Sequence, residues 1–231
     1  MSTFADFITR VETRIDNKNS RVDAYVRDAT IRALKELSHV RSLFMQSTFS
    51  FNTVAGQNEY SSADTGFPKD VQEFDTIYVQ TSTVLGSANY LITGPVPIEQ
   101  VRALFLAGSQ ALYPSIWAWH HNKLCFAPTI SGVVAVKGDY TKDATLDSTS
   151  GNAITASDTT TTNPWFDRGE QVLMNAVLMD YYLGIGKDSE AASMCANLYQ
   201  SGLASIRSDL VQRSMKGMQA PANYGDFNGW M

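Results

Sequence analysis

The side chains that could do chemistry in this sequence are His39, the adjacent pair His120 and His121, Cys125 and Cys195, and the evenly spaced Asp139, Asp143 and Asp147. His120, His121 and Cys125 are close enough in sequence to raise a zinc site. Alternation along a strand, however, sends neighbouring side chains to opposite faces, and zinc needs four converging ligands. The three aspartates are spaced by four, which makes one face only on a helix; they lie in a strand-to-loop segment, where no carboxylate pair for acid/base work follows. Leu183-Gly184-Ile185-Gly186 has the glycines of a nucleotide loop without the rest of its fingerprint and reads as a helix terminus. The sequence has no G-x-S-x-G elbow, Walker loop or H-E-x-x-H. These residues nominate no catalytic centre, no metal and no cofactor. Cys125 and Cys195 are far apart and read as small buried hydrophobes of a reducing compartment rather than a disulfide.

With no reactive cluster to explain, the elements themselves carry the argument. Apolar residues make up 44% and charged ones 18% of 231 residues, enough to bury a core without staples. The formal charge of -5 argues against a broad phosphate-binding surface, because that affinity comes from clustered Lys and Arg. The N-terminal residues carry Asp6 and Glu12 within their apolar pattern, unlike a secretory leader, and no stretch reaches the roughly 18 apolar residues of a membrane span.

Phe4, Phe7, Ile8, Val11 and Ile15 recur at helical spacing. A second helix is predicted from Arg21 to about Met45, with Val22, Val26, Ala29, Ala33, Leu37, Val40 and Phe44 on one side and Arg27, Arg32, Lys35 and Arg41 on the other. That basic face is either simply solvated or meets an acidic partner. From Ser47 the pattern turns to short β-branched and aromatic runs bounded by Gly, Pro and Asn, which read as strands, with His121-Asn122 at the tip of a hairpin. Pro97 starts a short helix within this region.

Residues 143–163 are rich in Ser and Thr and read as a long exposed loop or extended hairpin arm. Asn163-Pro164 then caps a helix ending near Gly184 and Gly186, and Asp188 opens a last helix that Gly217 stops. In the segment that follows, Tyr224, Phe227 and Trp230 fall at a three-residue spacing, as a docking element or as a tail folded back on its own helices.

The layout predicts an α+β fold: a helical bundle formed by N- and C-terminal helices, with a central antiparallel β insertion and an extended C-terminal tail. The expected divisions are N-terminal helices over 1–46, the β-rich insertion with one short helix over 47–142, the loop or arm over 143–163, C-terminal helices over 164–216 and the docking tail over 217–231. Within the insertion, Asn58–Asp70 holds a rigid corner. Pro68 fixes φ and biases Phe67 toward an extended shape, while Asp70 is expected to accept hydrogen bonds from backbone amides of the turn.

That corner, with Tyr60 before it and Pro68 and Asp70 after it, resembles the Tyr…Leu-Pro-x-Asp signature of phage head-to-tail adaptor (connector, gatekeeper or head-completion) proteins. The likeness continues in order: a proline-started helix at Pro97, a block carried by Pro114, Trp117, Leu124, Phe126, Pro128 and Tyr140, and an Asn-x-Trp opening at Asn163 and Trp165. It spans roughly residues 20–210 and departs at Phe67, where Leu is usual, at Gly66, where relatives continue the strand, and in the length of the 143–163 loop. The resemblance implies a structural, non-enzymatic virion protein of the head-tail junction, assembled in the host cytoplasm. It would form a ring of about twelve copies between the portal protein and a tail nozzle or tail-tube protein, with genomic DNA passing through its lumen without sequence-specific contact and no membrane involved. On this reading Tyr224, Phe227, Trp230 and Met218, with Arg27, Arg32, Lys35 and Arg41, contact the portal. The alternatives are a tail-tube or fibre-attachment component, which would ignore the portal, and a small soluble enzyme, which would be monomeric or dimeric.

Overall fold

Thr3 opens the first helix, α1 (Phe4–Ile15): its hydroxyl accepts from the Asp6 amide at 3.2 Å while the Asp6 carboxylate accepts from the Thr3 amide at 3.1 Å. Two otherwise unpaired donors are satisfied, and those hydrogen bonds hold the Asp6 carboxyl below its usual range. Asn19 caps α2 (Ser20–Leu37) through the amides of Arg21 and Val22. The computed structural model describes residues 2–16, 19–83 and 86–218.

The long helix expected to run to about Met45 stops at Leu37, leaving Val40 and Phe44 off it. The chain must reverse there to enter the sheet at Gln46. The Gln72 side chain donates to the Ser38 carbonyl, giving the helix end a partner from the sheet, and a 3-10 turn at Leu43–Met45 carries Phe44 edge-on to Trp165 with ring centroids 4.9 Å apart.

Asn163 caps as expected, but over a 3-10 turn, Pro164–Phe166, with α4 (Glu170–Tyr181) starting only after Gly169. Gly169 has no room for a side chain: a Cβ would lie 2.2 Å from the Trp165 ring. α4 is apolar on nearly every side, burying Val172, Leu173, Met174, Ala176, Val177, Leu178 and Tyr181, which places it in the middle of the helices. It packs against α1, α2 and α5 (Ser189–Met218), and the four share one core. Gly217 lies inside α5 rather than ending it.

The insertion is two antiparallel sheets over an aromatic core. The larger has the order β1 (Gln46–Asn52), β9 (Ala135–Lys142), β3 (Val71–Thr83), β4 (Gly86–Leu91); the smaller has β2 (Glu59–Tyr60), β7 (Lys123–Ala127), β6 (Ile116–His120). Their facing side chains, including Phe49, Phe51, Tyr60, Phe67, Phe74, Trp117, Phe126 and Tyr140, form one cluster. Phe74 touches five rings of it, with centroids from 5.0 to 6.3 Å. α3 (Ile98–Leu106) covers the other face of the small sheet through Val101, Ala118, Cys125 and Ala127; Pro97 sits at its N-cap, one residue before the first-turn position expected. A two-stranded parallel pair, β5 (Gln110–Ala111) with β8 (Thr129–Ile130), completes the insertion. β6 and β7 meet at His121 and Asn122, both left-handed with φ of 48° and 58°, as a tight two-residue hairpin demands.

The 143–163 segment is not the exposed arm its composition suggested. Ala144, Asp147, Ile154 and Asn163 are buried, and its backbone feeds α1: the Phe4 amide donates to the Thr161 carbonyl at 2.9 Å. Hydrogen bonding replaces apolar area here. The buried Asn163 amide group donates to the carbonyls of Ala144 and Leu146 while its oxygen caps Trp165, and Arg27 donates to the carbonyls of Ala156 and Asp158.

Candidate functional site

The corner joins the two halves of the molecule. Asp70 is buried, and its partners are side chains of β9 rather than the expected turn amides: the Tyr140 hydroxyl donates to Oδ1 at 2.8 Å, and Lys142 Nζ lies 3.1 Å from Oδ2, an ion pair without a well-angled hydrogen bond. Burial, then the Asp70 charge, push the Tyr140 phenol well above its ordinary pKa. The Asp70 carbonyl accepts from the Asp143 amide at 2.8 Å, tying the corner to the start of the 143–163 segment. Immediately beyond, Gln72, Glu73 and Asp75 bind Ser38 and Arg41 at the end of the helical body. Pro68 stands half-buried before it, and Gly66, with φ +81°, brings the chain so close that a Cβ would lie 3.3 Å from Phe51 Cβ. The corner links the sheet to the helices, with the Asp70 carboxylate held by Tyr140 and Lys142.

The groups with chemical potential are dispersed. Asp139 accepts from the Thr76 hydroxyl, Asp143 from Thr145, and Asp147 from Ser150 and Thr162. Burial opposes ionisation of Asp147, but the Thr162 and Ser150 hydrogen bonds outweigh it and hold the carboxyl below its ordinary range. His120 and His121 face each other with ring centroids 4.0 Å apart, because the left-handed backbone of His121 cancels the alternation that would separate them. Among the described residues no group of three or more His, Cys, Asp or Glu could hold a metal ion, and no helix is long and apolar enough to cross a membrane. Both cysteines are buried free thiols whose pKa burial raises.

The predicted basic face divides into bound and unbound cations. Arg27 is held by Asp23 and the 143–163 backbone, and it lies over the Phe4 ring. Arg32 makes a two-point contact with Asp180 and stacks on Tyr25, while Arg41, off the helix, bridges Glu73 and Asp75. Lys35 is exposed with no ion pair among the described residues. Met218 is the last described residue of α5, and Tyr224, Phe227 and Trp230 lie outside the described residues.

Exposed apolar side chains mark two surfaces that periodicity did not single out. β1 leaves the helical body at Gln46 and β9 returns to it at Lys142, so the loops beyond Asn52 and before Ala135 stand at the far end of the sheet. Val54, Leu112 and Val133, each more than half exposed, gather there, joined by Thr53 to Val134 and Ser131 to Ala111 hydrogen bonds. The second surface is α5, where residues 191–206 carry no charge and Met194 and Leu198 face outward. Only the absence of charge was available to sequence reasoning as a signal for it. Exposed apolar groups of this kind fit contact with other proteins better than small-molecule chemistry.

No curated protein matches the chain. The family model described as SU10 adaptor protein matches residues 2–223.

Proposed function

The chain belongs to the SU10 adaptor protein family, a family of phage structural adaptors, and from that membership we propose that it is the head-to-tail adaptor of a virion. Copies of it, about twelve, form a ring between portal and tail through which the DNA passes. The near-complete match is the observation that carries this reading. The helical body is the part that packs side by side in the ring, as a bundle of N- and C-terminal helices, and the uncharged outer face of α5 suits such packing. The far-end loops with Val54, Leu112 and Val133 face the tail protein.

Portal contact is assigned to the segment beyond Met218, through Tyr224, Phe227 and Trp230, each able to bury a large area at little conformational cost. Lys35 adds an available charge, Arg32 and Arg41 add charges that would exchange surface partners, and Arg27 acts indirectly by holding the 143–163 segment. The net charge of -5 lets DNA slide through the lumen without sticking.

The test is particle mass by light scattering for the purified protein alone and mixed with the portal of the same phage. Loading at one copy per portal subunit, lost on deletion of residues 217–231 from a chain that still folds, is the expected result. A small oligomer indifferent to the portal would move the protein to the tail; loading unchanged by the deletion would remove the tail segment from the contact.

A further inference from the structure

Between α3 and the small sheet, on the face turned away from the aromatic core, lies a cavity of about 270 Å³. Ile98, Val101 and Phe105 of α3 and Cys125 of β7 give it apolar walls, and Asn58, Glu59 and Arg102 supply its polar groups. Glu59 is taken by Lys123 at 2.8 Å. Arg102 is exposed and makes no ion pair among the described residues, either with Glu59 or with Glu99 one turn earlier on α3. An apolar interior thus adjoins one guanidinium without a carboxylate.

The cavity belongs to the far end of the sheet. Gln57, which lines it, donates its amide to the Val54 carbonyl at 3.0 Å, and the Gly56 amide donates to Ile130 at 2.8 Å. The Thr129 amide donates to the Ser109 carbonyl at 3.0 Å, tying the exit of α3 to β8. These bonds join half-exposed Phe105 and largely exposed Leu106 to the loops that carry Val54, Leu112 and Val133.

We propose that the cavity receives a bulky apolar side chain, with a carboxylate next to it, from the protein on the tail side. This names the chemistry of the tail-facing surface described above and rests on that reading for the identity of the partner. Small-molecule sites run to roughly 300–1,000 Å³. This cavity is smaller and suits a single anchoring side chain, seated among exposed apolar groups that exclude water from the contact. One available cation on a chain of net charge -5 makes a poor phosphate-binding surface, but at short range it selects a carboxylate.

The probes are two capped dipeptides, acetyl-Trp-Glu-amide and acetyl-Trp-Lys-amide, titrated into the full-length free protein while the methyl resonances of Ile98 and Val101 are followed by NMR. The Glu peptide should shift both and bind about fivefold tighter than the Lys peptide, against the overall field of a net charge of -5. R102E, a change at an exposed side chain, should reverse that order. No methyl shift, equal affinities, or a preference unchanged in R102E would overturn the proposal. The partner is read from particles assembled with R102E, which should be filled heads that carry the protein and lack tails. Tailed particles at the wild-type yield, heads without the protein, or a purified protein whose oligomer mass drops on R102E would each overturn the tail partner, the last two in favour of the portal and of a second copy. The peptide titration needs neither portal nor tail, so its failure is separate from a failure of the head-to-tail reading.

Discussion

Replacing Lys142 by Met should be among the most damaging single changes outside the aromatic core. The Asp70 and Lys142 side chains are only 5% and 15% exposed, so solvent screens their interaction little. Met keeps most of the volume and removes the charge, leaving a buried carboxylate with the Tyr140 hydroxyl as its remaining partner. Breaking a buried pair in this way costs about 3–5 kcal/mol. At roughly 2–4 °C per kcal/mol for a chain of this size, the melting temperature should fall by about 6–20 °C. Tyr140→Phe removes one hydrogen bond to a charged group and should cost about 1.5–3 kcal/mol. The discriminating measurement is a double-mutant cycle by urea denaturation. Asp70→Asn with Lys142→Met should be less destabilised than the sum of the single changes by about 1 kcal/mol or more, because the second change removes a group the first has orphaned. Full additivity, or a Lys142→Met cost under about 1 kcal/mol, would show that the corner is held by packing alone and that the ion pair contributes nothing.

The same corner predicts an alkaline instability. The native Tyr140 phenol holds its proton above the ordinary tyrosine value of 10.0, so above that pH the unfolded chain releases a proton the native state keeps, and stability falls as pH rises. Tyr140→Phe should flatten that slope by up to about 1.4 kcal/mol per pH unit, read from denaturation midpoints between pH 9 and 11; an unchanged slope would assign it to the other buried tyrosines. Arg27→Ala should cost about 1–2 kcal/mol and raise amide exchange over residues 155–162 while leaving β9 protected, because it frees the carbonyls of Ala156 and Asp158. Gly66→Ala should cost about 1–2 kcal/mol through its left-handed backbone and its approach to Phe51, checked by urea denaturation.

Much of the architecture was legible along the chain. The spacing of Phe4, Phe7, Ile8 and Val11 determines α1, and Asn163 announces its cap because both signals are local and need no distant partner. The His121-Asn122 hairpin follows from two polar residues able to take left-handed backbone between alternating runs. The order of short motifs through Tyr60, Pro68, Asp70 and Trp117 was enough for the adaptor family, which the match over residues 2–223 shows.

What tertiary structure decided were the places where a local signal is overruled by something distant. The α2 pattern continues through Val40 and Phe44, yet the helix ends at Leu37, where the sheet offers Gln72 to the Ser38 carbonyl and Trp165 offers Phe44 an aromatic surface. The Ser/Thr-rich 143–163 segment looks soluble because polar side chains advertise water. Its groups instead bond to Asn163 and Asp147 across the segment itself and to Arg27 on α2, pairings that hydropathy cannot see. Asp70 belongs to Tyr140 and Lys142 for the same reason: composition shows that a carboxylate is present, and only the strand register of β9 brings it a hydroxyl and an ammonium. The basic residues of the predicted helix face carry the lesson to the surface. Sequence determines their sign, but the fold determines that Arg27, Arg32 and Arg41 are paired while Lys35 is exposed with no ion pair among the described residues.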